Sequence, residues 1–263
     1  MKLALCIGIN DYNWLSPESC LHGCITDARD WGELFLDCYG FNEVHYLLDG
    51  AATPQAVRSA LSLMAEKVVP GDTVAITYSG HGTRVPDKNG DEADGYDEAI
   101  VLHGSWYTDD EIDGDLKMLK AAKVVVVADS CHSGTVLRGL MGLMGERVPS
   151  PHPPIPRYVD MLARGPNPPP RNVLHHRFGK PRAMEPNRIL LAGCKDVETS
   201  ADAWLAGAYH GALTYHATRL LRERPWMTWK ELIVTLRQII KRTSPQTPQL
   251  EGVPSALDGV VFS

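Results

Sequence analysis

Val124-Val125-Val126-Val127-Ala128-Asp129-Ser130-Cys131-His132-Ser133-Gly134 is the stretch from which the fold follows. Five small or branched apolar residues in a row read as a strand buried on both faces of a parallel sheet, and the chain then turns abruptly into polar residues and glycine. In an open α/β sheet, reacting side chains are presented at the carboxyl ends of strands. Cys131 stands at such an end.

Asp72-Thr73-Val74-Ala75-Ile76-Thr77-Tyr78 has the same shape and ends in Ser79-Gly80-His81-Gly82-Thr83, which places His81 on a glycine-flanked turn. A cysteine and a histidine that each follow a parallel strand can meet across adjacent strand ends, the arrangement a thiol nucleophile and its base require. A free thiol is mostly protonated at neutral pH, so Cys131 needs the His81 imidazole to supply the thiolate. His81 would then protonate the leaving amine. The N–H of Gly82, unscreened by a side chain, and the N–H of Cys131 are the natural donors to a tetrahedral oxyanion. His132 is too close in sequence to the thiol to act as its base and is read as structural.

The two motifs, Tyr78-Ser79-Gly80-His81-Gly82-Thr83 and Asp129-Ser130-Cys131-His132-Ser133-Gly134, resemble the histidine and cysteine motifs of metacaspases, the caspase-like cysteine peptidases. Their spacing is close to that of caspases. Further matches run from Ala4-Leu5-Cys6-Ile7-Gly8-Ile9-Asn10 to Ala192-Gly193-Cys194-Lys195-Asp196 and Thr199-Ser200-Ala201-Asp202-Ala203, so the similarity covers most of the 263 residues. The resemblance implies a Cys131–His81 dyad and hydrolysis of peptide bonds after Arg or Lys. It also implies that Asp27 lines the pocket for that basic residue. Asp129, two residues before the cysteine, suits the same pocket by its charge, with a helix or turn cap as its alternative role. Protein or peptide substrates and a monomeric state follow from the same likeness.

Composition agrees with an enzyme of this kind without proving one. A hydrophobic fraction of 44% with 22% charged residues is that of a globular chain able to bury a core, and a formal charge of −6 gives no reason to expect nucleic acid. No apolar run is long enough to cross a bilayer, so no membrane association is expected. Met1 to Ile9 is too short for a secretory signal and reads as the first core strand. Six scattered cysteines, one needed as a free thiol, then point to a reducing cytoplasm.

Along the chain, Cys20, His22 and Cys24 lack the spacing and second ligand pair of a zinc site. A helix from Thr26 or Asp27 to about Asp37, a strand at Val44 to Leu48 and a helix from Thr53-Pro54 precede the histidine strand. Asp87 to Glu98 carries six carboxylates in twelve residues, a composition that fits either a calcium loop or a solvated acidic one. The resemblance matches Asp97, Asp109 and Asp110 to calcium ligands of calcium-dependent metacaspases. The fourth position is Arg138 here, whose charge opposes a cation. No organic cofactor is evident. Asp109, Asp110 and Glu111 also suit the first turn of a helix that ends near Ala121-Ala122.

Eleven prolines between Pro149 and Pro186, interspersed with arginines, read as a long exposed loop. A self-processing linker, a disordered insertion and a docking surface for a regulator are all compatible with that composition. A strand at Arg188 to Gly193, helices around Leu213 to Leu221 and Trp229 to Ile240, and a last strand at Leu257 to Phe262 complete the reading. The alternation of β and α elements predicts an α/β chain forming a caspase-like three-layer α/β/α sandwich with a mostly parallel central sheet. One catalytic domain spans 1–263, with a large-subunit-like part at 1–144, the proline-rich loop at 145–186 and a small-subunit-like part at 187–263. The rival readings are a catalytically silent caspase-fold scaffold, a non-proteolytic thiol hydrolase or redox enzyme, and an enzyme switched on by a partner or small ligand instead of calcium.

Overall fold

A computed structural model describes residues 1–87, 90, 95–120, 122–131, 152–160, 185–194, 200–242, 244 and 246–263. Its centre is a six-stranded sheet in the order β12 (Gln249–Gly252), β9 (Arg188–Ala192), β7 (Lys123–Asp129), β3 (Thr73–Ser79), β1 (Lys2–Gly8), β2 (Glu43–Leu48). Every pairing is parallel except that of β12 with β9. All seven residues of β3 are buried, which is why its sequence carries no charge and shows no apolar–polar alternation.

Alternate side chains of these strands enter two separate cores. Leu3, Leu5 and Ile7 of β1 face α2 (Pro54–Lys67) through Val57, Leu61 and Met64, together with Leu116 of α3 (Asp109–Leu116). Ala4 and Cys6 face the other way, with Val125, Val127, Ile189 and Leu191, onto α1 (Cys24–Tyr39), α4 (Ala212–Glu223) and α5 (Trp229–Ile240). The period of two along a strand thus builds the three layers. Thr108 and Thr228 each close a capping box with Glu111 and Glu231, fixing where α3 and α5 begin. Gly40, at φ 63°, ends α1 in the left-handed conformation that glycine adopts without strain.

Two small sheets flank the strand ends. β4 (Gly82–Pro86), β5 (Tyr96–Leu102) and β6 (Ser105–Thr108) form one, and β8 (Ile155–Pro156), β10 (Ala201–Leu205) and β11 (Ala208–Gly211) the other. Three expectations are corrected. Leu257 to Phe262 is not a strand: α6 (Pro254–Leu257) occupies its start, and Val260 makes only an isolated bridge to Thr228, so the last strand is β12. α3 stops at Leu116 and tightens into a single 3-10 turn at Lys117–Leu119. Within the proline-rich stretch, the described segment 152–160 is not an exposed loop, for Ile155 and Pro156 add a strand to β10 and Arg157 is fully buried. No helix among the described residues is long and apolar enough to cross a membrane.

Candidate active site

β3 and β7 are neighbours, and their register closes on the pair Ser79 and Asp129. His81 and Cys131 each lie two residues beyond that pair, so the parallel register alone brings the expected base and nucleophile to the same edge of the sheet. His81 is tightly held. Its backbone N–H donates to the Tyr12 hydroxyl at 2.9 Å, and its carbonyl accepts from Tyr78 at 2.6 Å. Gly80 permits this approach, since a Cβ there would meet both hydroxyls at 2.5 Å.

The His81 ring places Nε2 2.6 Å from the Ser19 carbonyl. A carbonyl only accepts, so Nε2 carries the proton and Nδ1 keeps its lone pair. Nδ1 is buried and makes no hydrogen bond. Burial pushes the imidazole pKa down to about 4, against the pull of the Ser19 carbonyl and with the Arg157 charge adding to the fall. The ring is therefore neutral at pH 7, as a base must be. Cys131 is a buried free thiol whose sulfur contacts Ser200, donating to its carbonyl at 3.2 Å and accepting from its N–H. Among the described residues no hydrogen bond joins Cys131 to His81.

A segment of the chain itself runs through this site. Ile155 and Pro156 pair antiparallel with Asp202 and Ala201, and the N–H of Arg157 donates to the Ser200 carbonyl at 3.0 Å. The Arg157 carbonyl oxygen accepts from the N–H of Gly82 at 3.0 Å and from that of Cys131 at 3.3 Å. These are the two donors expected from the sequence. Beyond it, Val159 N–H returns a bond to the Gly82 carbonyl at 3.1 Å. The segment lies extended between β10 and Gly82, in the manner of a peptide adding a strand to an exposed edge.

The Arg157 side chain fills a closed acidic pocket. One terminal nitrogen bonds to Asp27 at 2.7 Å and Asp202 at 2.9 Å, and the other to the Asp129 carbonyl at 3.1 Å and Ser79 Oγ at 3.3 Å. The second nitrogen also lies 3.6 Å from the Asp129 carboxylate. Each carboxylate is fixed independently of the arginine: Asp27 by Ser79 and the Gly211 N–H, Asp129 by Ser200 and Thr214, and Asp202 by the amides of His22 and Gly23. Burial raises the Asp27 pKa, but Arg157, His210 and the Gly211 amide outweigh it and hold the carboxyl below its ordinary value. Asp129 is pushed up by burial against the pull of Arg157, with the charge of Asp27 adding to the rise. The walls are close: a Cβ on Gly211 would meet Asp129 Oδ2 at 2.2 Å and the Arg157 guanidinium at 2.4 Å.

The structure therefore gathers Cys131, His81, Gly82, Asp27 and Asp129 around one peptide unit. Asp202, Ser79, Ser19, Ser200, Gly211 and Arg157 were not anticipated there. Asp202 lies in the matched stretch Thr199 to Ala203, where its carboxylate was the available signal, but nothing local says which pocket it enters. The residues expected to hold calcium stand on another part of the fold. Pairing of Ala99 with Thr108 carries Asp97 and the Asp109-Asp110 start of α3 to one end of the β5–β6 hairpin. Among the described residues these three do not form a group with ligand atoms within 4.8 Å of one another, whereas Asp27, Asp30 and His210 do. In that group His210 Nδ1 lies 3.7 Å from Asp27 and 3.6 Å from Asp30, and Asp27, opposed by burial, raises the His210 pKa. His132 and Arg138 lie outside the described residues.

Residues 2–139 match the family described as "Metacaspase, peptidase C14 domain". The chain is 31% identical to metacaspase-1 of Cryptococcus neoformans var. neoformans serotype D, over 95% of this chain and 62% of that protein. It is 27% identical to metacaspase-1 of Schizosaccharomyces pombe, over 95% of this chain and 66% of that one. It thus spans less than two thirds of the length of either relative. A crystal structure of a protein from Geobacter sulfurreducens has 25% identity and a TM-score of 0.72, covering 100% of this chain and 98% of that one.

Proposed function

The chain belongs to the metacaspase family of C14 peptidases, and from that premise we propose that it is a cysteine endopeptidase cutting after arginine, and after lysine more slowly, with Cys131 as nucleophile and His81 as base. The observation that carries this reading is the position of Arg157. Its carbonyl oxygen lies between the N–H groups of Gly82 and Cys131 while its guanidinium reaches Asp27 and Asp202. Arginine is favoured over lysine because two separate nitrogens engage acceptors on different walls, which a single ammonium cannot reproduce.

In the reaction, the Cys131 thiol gives its proton to Nδ1 of His81, and the sulfur attacks the arginyl carbonyl carbon. The electron pair of the carbonyl moves onto oxygen, where the Gly82 and Cys131 amides stabilise it. Collapse breaks the C–N bond, and His81 returns the proton to the departing amine. Water, deprotonated by His81, then hydrolyses the thioester. The first substrate is the chain itself, with Arg157–Tyr158 as the bond cut.

The silent-scaffold reading leaves the two amides on the Arg157 carbonyl and the unengaged lone pair of His81 Nδ1 without a use. Calcium control is a separate proposal, supported by the family likeness and by the placement of Asp97, Asp109 and Asp110 at one hairpin end.

The test is to incubate the wild type and Cys131→Ala with calcium or a chelator, then to determine intact masses and rates on fluorogenic Arg, Lys and Asp peptides. A cut that leaves Tyr158 as a new N-terminus, Arg cleavage faster than Lys, and loss of both in Cys131→Ala are expected. An uncut, inactive wild type under every condition would leave the scaffold or an enzyme switched on by a partner or small ligand. Cleavage only after Asp would overturn the pocket assignment.

A further inference from the structure

The docked segment makes a second, remote contact. β10 and β11 form a hairpin whose turn, Ala206-Gly207, has φ 50° and 93°, and across it Trp204 pairs with Tyr209. Their rings meet edge to face at 5.2 Å, and His22 packs against Tyr209 at 5.0 Å. On this pair lies the imidazole of His152, stacked on Trp204 at 3.8 Å with only 16° between the planes, and set edge-on to Tyr209 at 6.1 Å. The Tyr209 hydroxyl donates to the Pro153 carbonyl at 3.5 Å. Between this contact and the arginine pocket runs Pro153-Pro154-Ile155-Pro156. Its three prolines have fixed φ, which restricts the conformations open to the chain between the ring and the guanidinium.

Trp204 is 40% exposed even with His152 upon it. A large ring half in solvent on a two-stranded hairpin adds little to the core, and its flat face points at the path of the bound peptide. We infer that the Trp204–Tyr209 pair is a substrate subsite, selecting peptides that carry a planar ring six residues before the cleaved bond and a free carbonyl at the fifth. This rests on the peptidase reading, in which Arg157 marks the bond. His152 is the chain's own occupant of the subsite, and a substrate in trans presents a histidine or aromatic residue there. Ring stacking of this kind corresponds to about a 2- to 10-fold preference, which a remote contact expresses in kcat/KM.

Three peptides with a fluorogenic group after arginine test it on the full chain: His-Pro-Pro-Ile-Pro-Arg, Ala-Pro-Pro-Ile-Pro-Arg and Ile-Pro-Arg. The His peptide is expected to exceed the Ala peptide in kcat/KM by about 2- to 10-fold. In Trp204→Ala that ratio falls to about one, and in Trp204→Phe, which keeps a stacking face, most of it returns. A ratio of one in the wild type, with Ile-Pro-Arg still cleaved, sinks the subsite alone, as does a ratio that survives Trp204→Ala. Failure to cleave any of the three sinks the peptidase reading and the subsite with it.

Discussion

The Arg157 guanidinium reaches Asp202 at 2.9 Å although 45 residues separate them in sequence. Asp202 stands on the β10 hairpin, Asp27 on α1 and Asp129 at the end of β7, so three elements each contribute one carboxylate to a single cation. Asp202→Asn keeps one oxygen for the His22 and Gly23 amides, removes the charge and turns an NH2 donor toward the guanidinium. Losing one partner of a buried, hydrogen-bonded charge pair costs about 2–5 kcal/mol, so kcat/KM on arginine peptides should fall roughly 30- to 3000-fold. A change of under threefold in steady-state rates would show that Asp202 does not read the guanidinium.

Arg157→Ala separates the pocket from its internal occupant. The side chains of Asp27, Asp129 and Asp202 are between 0% and 1% exposed around the arginine, and without it they are left as buried like charges. Breaking a buried ion pair from one side costs about 3–5 kcal/mol, so the thermal midpoint of an Arg157→Ala, Cys131→Ala protein should drop by several degrees relative to Cys131→Ala. A small guanidinium ligand such as agmatine should restore it, by roughly 2.7 kcal/mol at a hundredfold excess over its Kd. Melting curves with and without agmatine decide this. An unshifted midpoint that ignores agmatine would mean that the carboxylates do not require a cation.

Much of this was legible in the sequence, because strand registers are local facts with distant consequences. The valine run at 124–127 and the Asp72 to Tyr78 run are buried strands whose parallel pairing brings Cys131 and His81 to the same sheet edge, and the glycine at 80 marks where the Tyr12 and Tyr78 hydroxyls crowd the backbone. Composition misled where one residue in a segment had a partner elsewhere. A proline-rich stretch ordinarily lies outside the core, yet three acidic residues from distant elements draw Arg157 to full burial, and no local pattern encodes their convergence. The Leu257 to Phe262 run failed for a related reason. Val261 and Phe262 are buried against Trp31, Phe35 and Trp229 beneath the helices, so their apolar character reflects helix packing and not a ladder.

Gly211→Ala tests the width of the arginine pocket. Its φ of −67° suits any residue, so the backbone is not strained by the change. The added methyl would instead lie 2.2 Å from Asp129 Oδ2 and 2.4 Å from the guanidinium, inside van der Waals contact. A folded protein with a roughly 5- to 100-fold loss in kcat/KM on arginine peptides, borne mainly by KM, is the expected outcome, since overpacking costs about 1–3 kcal/mol. Wild-type kinetics would mean that the pocket walls yield.

His81 should leave a signature in the pH dependence of stability. Its folded pKa of about 4 lies below the ordinary 6.5, so the unfolded chain takes up the proton first as pH falls. The contribution of a neutral, buried His81 is complete above about pH 6.5, is lost progressively below it, and levels off once the folded imidazole titrates near pH 4. One pKa unit is worth 1.36 kcal/mol, so between pH 8 and pH 5 the loss amounts to about 2 kcal/mol. Urea unfolding of Cys131→Ala, which keeps the Arg157 segment uncut, should show this increment beyond whatever the carboxylates contribute. Adding His81→Gln should remove it and leave the carboxylate part intact. Equal slopes in the two proteins would show that the folded imidazole titrates normally, and the Ser19 carbonyl would then be holding a ring that water can reach.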